Sequence, residues 1–543
     1  MFSQVFTKIK EIICNMIGSR TIENALHITP VVSTKMEKAI QLWGDMYEGR
    51  CPWLHEPDND NPVRIASLGL PAFIASEKAR MVTLEMKSEI TTPTEVTEEP
   101  NPDYKPPTED ENGNITVSGE KPTIVTEKPV SDTSRAEYLQ SQYTKATEQL
   151  RPQVEYGIAK GGLVIKPYVI LNVPEIEGEV AQPKIEYDFV QADDFYPLAF
   201  DGSGKIIEAA FVQSKIDKNT IYRRLEYHKL VGNTVIIQNR AYESNNVQHI
   251  NTFDDESLGK EIPLTYVPEW ADIQPETRIQ NVDRLLFAYF KMPEANTVDP
   301  HSPLGVSGYS RAVGLIKEAD KQYSRILWEY EATEAAIDID RDALAEVYDN
   351  QGNVHSINPT LQARLFRPVD LGESNTYNPF LPTIRDTSLI NGLNNILMRI
   401  EDVCALSRGT ISDVAAEART ATELKILKQR SYSANADIQH ALEKALKDLV
   451  YIMNVYCTVY NITPEGEYDI SFEWDDSILT DVDSELSKRI TLMQNGLASK
   501  VETRMWYFGE TERQAMEALQ KVSDENKQSA EDEVMNTFGG DNK

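Results

Sequence analysis

In this chain of 543 residues, Gly202-Ser203-Gly204-Lys205 comes nearest to a loop that could cradle phosphates. Such a loop needs a further glycine four residues ahead of the Gly-Lys pair and a hydroxyl just after it, to reach magnesium. Ala199 and Ile206 stand at those places, so the run predicts a β-turn between two strands. Asp338, Asp340 and Asp342 alternate as the first three ligands of a calcium loop would. The sixth place is Ala343 where a turn needs glycine, and the twelfth is Asp349 in place of a bidentate glutamate. An exposed acidic segment is the expectation there. The seven histidines show neither His-x-His nor His-x3-His spacing, so no zinc arrangement emerges. No Gly-x-Ser-x-Gly elbow occurs, and Cys14, Cys51, Cys404 and Cys457 form no Cys-x2-Cys pair. Carboxylates abound without any pair standing out. The reading is of a protein without catalytic residues, bound metal or cofactor.

Charge narrows the classes further. The chain carries 86 acidic against 54 basic residues, a formal net charge of -32. A protein that grips DNA by neutralising phosphates needs clustered Lys and Arg, and an acid excess of this size keeps polyanions at a distance. Widely spaced cysteines suit a reducing compartment. No apolar run approaches the ~20 residues that a membrane span needs, and residues 1–17 read as an amphipathic first helix rather than a signal peptide.

Proline distribution sets the architecture. Twenty-three of the 28 prolines fall at or before Pro303, and none lies between Pro382 and Pro464. Proline breaks helix interiors, so long helices belong to the second half. Helices are expected over 36–47, 71–90 and 135–150, with Pro71 placed in a first turn. Residues 91–134 hold seven prolines and ten acidic residues, which predicts a loosely structured insertion, with Asn112-Gly113 able to close a small hairpin. A β-rich block runs from about Val154 to Asn251, its strands at 163–171, 185–190, 206–212, 220–228 and 234–242 forming an antiparallel meander. Further helices are expected over 307–337, 387–407 and 421–460. In the last, Ile438, Leu442, Leu446, Leu449, Met453 and Tyr456 recur at steps of three and four, and Thr420 with Glu423 forms a capping box at its start. Turns and short strands fill 338–384, with a hairpin tip near 349–352. A strand over 468–474 and helices over 483–494, 499–508 and 510–523 finish the chain. The fold class is α+β.

The order of these segments resembles the portal proteins of siphophages that infect Gram-positive bacteria. The resemblance is carried by DFVQADDFYPLAFDGSGKIIEAAFV (188–212), YRRLEYHKL (222–230), VIIQNRAYES (235–244) and FAYFKMPEANTVD (287–299). It continues in SPLGVSGYSRAVGLIKEADKQYSRILWEYE (302–331), RGTISD (408–413) and RTATELK (419–425). The resemblance implies a wing over 1–302, stem helices over 303–337 and 385–407, and a clip over 338–384 between them. A tunnel loop and tunnel helix would span 408–460, a wing return strand 461–482, and a crown with an acidic tail 483–543. The insertion at 91–134 departs from the most compact form of the pattern. The resemblance further implies a non-enzymatic subunit that closes, twelve copies to a ring, into the DNA conduit at one capsid vertex. Its partners would be the duplex DNA that passes through, the terminase large subunit, a head-completion adaptor, and the scaffolding and major capsid proteins. It would work in the virion, and in host cytoplasm during assembly, with no membrane contact. Thr410, Ser412, Asp413 and Glu417 are the residues placed to face DNA, and Lys425, Lys428 and Arg430 could be local basic exceptions.

Two other readings compete. A nuclease or packaging ATPase would need the phosphate loop or carboxylate cluster that the sequence lacks. An acidic monomeric adaptor or scaffold of the virion fits the composition but leaves the order of segments unexplained.

Overall fold

The computed structural model describes residues 34–55, 57–58, 61–62, 65–84, 86–100, 108–109, 115–116, 123–172, 182–244, 258–340, 346–348, 351, 354–357, 366–369, 377–413, 421–474, 482–508, 515–516, 518–519 and 521–522. The first expected helix, the Thr420 cap and Glu417 lie outside these residues. Nine α-helices of eight or more residues are defined among them. They are α1 (Thr34–Tyr47), α2 (Leu70–Thr83), α3 (Ser134–Glu148), α4 (Leu150–Lys160), α5 (Val313–Ala332), α6 (Asp386–Val403), α7 (Ala421–Val459), α8 (Val482–Gln494) and α9 (Lys500–Phe508). With the sheets described next they make an α+β protein. None of these helices is long and apolar enough to cross a membrane.

The chain divides into two compact units, residues 1–472 and 473–543. In the first unit α1 buries Met36, Ile40, Trp43 and Met46, one stripe at steps of three and four. Pro71 sits in the first turn of α2, after Gly69 in a left-handed conformation with φ 67°, as its missing N–H allows. The expected helix over 71–90 stops at Thr83. Residues Met86–Thr91 instead form a strand paired with Asp469–Trp474, because Met-Lys-Ser-Glu-Ile-Thr buries Ile90 and exposes its neighbours in alternation. A second correction concerns the start of the β block: residues 150–160 are helical, with Pro152 tolerated in the first turn of α4. Gly161, at φ 93°, ends α4 where the chain passes Gly305, and a Cβ there would sit 2.7 Å from the Gly305 carbonyl oxygen. Only glycine fits such an approach.

Within the insertion the described residues form paired strands. Thr94–Pro100 pairs antiparallel with Thr123–Pro129, and 108–109 pairs with 115–116. The turn expected at Asn112-Gly113 lies outside the described residues. Threonine, valine and isoleucine supply β-propensity, and prolines stand at the strand ends, where they cost no ladder bond.

The meander forms in part as expected: Ile206–Asp217, Thr220–Val231 and Thr234–Ser244 follow one another, but Phe195–Phe200, which was not expected, precedes them, and the strands expected at 163–171 and 185–190 belong to another sheet. Two-residue turns at Lys218-Asn219 and Gly232-Asn233 connect the last three strands of the meander, with positive φ at Lys218 and Gly232. Leu198, Val212, Leu225, Tyr227 and Tyr242 form a core on one face. A separate antiparallel sheet joins Ala288–Lys291, Gly162–Asn172 and Gln182–Gln191.

α5 and α6 pack on each other. Between them Ala336–Asp340 pairs parallel with Phe366–Val369 and antiparallel with Tyr377–Phe380, and 346–348 pairs with 354–357 around the expected hairpin tip. α7 has 39 residues, about 58 Å at 1.5 Å per residue. Its buried Leu442, Leu446, Leu449 and Met453 lie on the face that meets the three-stranded sheet. Its C-terminus is closed by the buried Arg135 of α3, which donates to the carbonyls of Thr463 (2.9 Å) and Pro464 (2.9 Å), to Asn454 Oδ1 (2.6 Å) and to Thr458 Oγ1 (3.0 Å). A cation at this end also meets the negative pole of the helix.

In the second unit, Ser499 and Glu502 form a capping box at the start of α9: the Glu502 amide donates to Ser499 Oγ and the Ser499 amide to Glu502 Oε2. The Arg489 guanidinium of α8 lies over the Trp506 ring of α9 at 4.5 Å.

Candidate functional site

The segment that leaves α6 carries the residues expected to face DNA, and its shape follows from how the helix ends. Ala405 takes a left-handed conformation at φ 55°, and the amides of Cys404 and Leu406 close onto the carbonyls of Ile400 and Glu401, a tight C-terminal cap. Leu406 then buries its side chain. A turn follows, in which the Thr410 amide and hydroxyl both donate to the Ser407 carbonyl, the hydroxyl at 2.6 Å. Gly409 makes that turn at φ 89°.

The turn directs a run of backbone N–H groups at one carboxylate. Glu401 Oε1 accepts from the amides of Gly409 (3.1 Å), Ile411 (2.7 Å) and Ser412 (2.9 Å), and Oε2 accepts from Ser412 Oγ at 2.7 Å. Glu401 is fully buried, at 0% exposure. Arg408 forks onto Asp402 at 3.1 and 2.6 Å. Asn394 brackets Asp413, its Nδ2 donating to the Asp413 carbonyl (2.8 Å) and its Oδ1 accepting from the Asp413 amide (2.7 Å).

Of the four residues singled out by sequence, then, Thr410 is half-buried on its own turn, Ser412 is buried against Glu401, and Asp413 is exposed. Glu417 lies outside the described residues, as do the side chains of Lys425, Lys428 and Arg430. Glu401 and Asn394 were not anticipated. The one sequence signal for Glu401 is an acid in the last turn of a helix, where the dipole disfavours it.

Of the two helices that frame this segment, α5 is fastened at its middle to residues 53 and 68 and near its C-terminus to the start of α6. Asp320 on α5 accepts from Trp53 Nε1 (2.9 Å) and the Leu68 amide (2.9 Å). Burial raises its pKa against those two bonds. Near the C-terminus of α5, Glu329 accepts three hydrogen bonds from Arg385, which precedes α6. Around this end Leu327, Trp328, Tyr330, Leu381, Ile384 and Ile390 are exposed, Trp328 at 64% and Leu381 at 74%.

Elsewhere the chemistry is structural. Gly202–Lys205 is a hairpin turn in which Asp201 Oδ1 accepts from Ser203 N, Ser203 Oγ and Lys205 N. Among the described residues no three His, Cys, Asp or Glu are grouped to hold a metal ion. Asp338 and Asp340 lie on a strand, and Asp342 is outside the described set. Burial raises the thiols of Cys51 and Cys457 to about 11 and that of Cys404 to about 12, which keeps them protonated and poor nucleophiles. In the antiparallel meander, Glu226 is buried among Lys166 Nζ (2.9 Å), His228 Nε2 (2.7 Å) and Arg224 Nη2 (3.2 Å).

A family model described as phage portal protein, SPP1 Gp6-like, matches residues 116–531. No match to the chain was found among curated proteins.

Proposed function

The chain belongs to the SPP1 Gp6-like phage portal proteins, and from that premise we propose how its parts serve a DNA conduit at one capsid vertex. Copies of the chain, twelve in the ring that the family resemblance implies, stand side by side, with α5 and α6 as the stem and 338–384 as the clip. Residues 1–302 with 461–482 form the wing, 408–460 the tunnel loop and tunnel helix, and 483–543 the crown. The terminase large subunit and a head-completion adaptor use the clip in turn, during packaging and after it. Scaffolding and major capsid proteins surround the ring.

The observation that carries this reading is the exposed apolar surface at the clip end of the stem. Six large apolar side chains that include Trp328 and Leu381 face solvent in the single chain, and such a patch marks an interaction surface. A neighbouring copy, related by the ring rotation, covers it. The acid excess supports the conduit: a wall that binds phosphates weakly lets DNA slide. Within the tunnel loop, exposed Asp413 is the residue we assign to the channel face, together with Glu417, while half-buried Thr410 braces the turn through its bonds to the Ser407 carbonyl. Ser412 serves from behind, through its bond to Glu401.

Deleting the gene from the encoding phage tests this function. The expected result is heads without DNA or tails, restored by the intact gene supplied in trans. Full, tailed particles from the deletion would contradict it.

A further inference from the structure

We propose that Glu401 is the positioning residue of the tunnel loop: its carboxylate holds residues 409–412 in one shape against α6, so the channel-facing part of the loop starts only at Asp413. The role rests on the reading of 408–419 as the tunnel loop.

Three observations converge on it. The Glu401 side chain is wholly buried, and among the described residues no Lys or Arg is paired with it. Its charge is met instead by three backbone N–H groups and one hydroxyl of the loop. Converging amides of this kind form an anion-binding concavity, and here the anion is part of the chain itself. Removing the acceptor strands several buried donors at once, which makes the arrangement all-or-none.

The second observation is the direction of the loop. Asn394 and Glu401 are seven residues apart and so lie on one face of α6. Residues 409, 411 and 412 bond to Glu401 and residue 413 bonds to Asn394, so the chain runs back along the helix it has just left. The third is the Arg408 fork on Asp402, which pins the corner where the chain reverses. Together these contacts move the pivot of the loop from Ala405, where the helix ends, to Asp413. Loss of the carboxylate returns the pivot to Ala405 and lets the loop sag into the DNA path or withdraw from it.

The test compares wild-type rings with E401Q, E401A and the double variant N394A/S412A, by hydrogen exchange over residues 405–413 and by DNA packaging into assembled heads. Glutamine keeps an acceptor oxygen for the amides and can donate to Ser412 Oγ, so E401Q exchanges and packages close to wild type. E401A exchanges about tenfold faster or more at 409–412, keeps wild-type exchange in 386–400 and in the ring mass, and loses packaging severalfold. N394A/S412A, which leaves the carboxylate in place, falls between the two. Unchanged exchange at 409–412 in E401A would overturn the clasp, and faster exchange with undiminished packaging would overturn its role. Wild-type protein that forms no ring would overturn the tunnel-loop reading, while the exchange data still decide the clasp.

Discussion

Arg385 and Glu329, 56 positions apart in the chain, close the neck between α5 and α6: the Arg385 Nε–H donates to Glu329 Oε1 at 3.0 Å, Nη2–H to Oε2 at 2.8 Å, and the Arg385 amide to Oε1 at 3.3 Å. Everything proposed for the clip hangs from this junction. The two-pronged geometry needs a planar guanidinium, which lysine does not have. R385K therefore loosens the neck almost as much as R385A. Hydrogen exchange over 329–336 and 380–386 reads this directly, with faster exchange expected in both variants and the meander unaffected.

The same junction sets an acid limit. Hydrogen bonds from Arg385 hold the Glu329 carboxyl below the usual range. A depressed carboxyl pKa contributes stability that is whole above its unfolded value of about 4.3 and fades as pH falls through the folded value. Local protection at the neck should be flat from neutral pH down to about 5 and then decline. In R385A the decline should shrink, because the side-chain bonds that lower the Glu329 pKa are lost while the burial that raises it remains.

The antiparallel meander has a different pH response. Burial lowers the His228 pKa, outweighing the bond and charge of Glu226, so the ring is neutral, donates Nε2–H to Glu226, and leaves Nδ1 without a partner. For Glu226, burial raises the pKa, but Lys166, His228 and Arg224 bring it well below the usual value. An unfolded histidine takes up its proton near 6.5, before the folded one does, so stability drops as pH falls below about 6.5. H228Q, followed by thermal melts from pH 7.5 to 5, should flatten that drop. Glu226 contributes its own loss only at lower pH.

These junctions explain what could and could not be read from the sequence. Three strands of the meander were legible because Leu225 and Tyr227 alternate with Arg224, Glu226 and His228 and Gly232-Asn233 names its own turn; Phe195–Phe200 was not, and 163–171 and 185–190 pair in a different sheet that no local pattern announces. The long helix was legible because Ile438 to Tyr456 keep one stripe through a proline-free stretch. The strand at 86–91 was not, since it continues an apolar helical pattern with no break and gains its identity only by pairing with 469–474. Nor was α4, whose Pro152 argued for a boundary. In the loop, Thr410, Ser412 and Asp413 were singled out by position alone, whereas the contacts of Glu401 and Asn394 are made with backbone groups, which every sequence contains and no motif displays.

Arg135 offers the sharpest stability test. Its guanidinium is buried and satisfies the last carbonyls around the end of α7. R135M keeps much of the volume but strands those acceptors, at a cost of about 3 kcal/mol. Denaturant unfolding should show a lowered midpoint with an unchanged slope.

At the stem, W328D should be nearly silent in the single chain, within about 0.5 kcal/mol, because the side chain is already exposed. Its effect belongs to assembly, where a charge faces the neighbouring copy. Sedimentation should find a folded, unassembled subunit with wild-type circular dichroism.

The ring itself is the central claim, and electron microscopy of the purified full-length protein, with its mass in solution, tests it most directly. The account predicts closed rings of about a dozen subunits around a central channel. A homogeneous monomer at every concentration would contradict it and leave the acidic adaptor reading in its place.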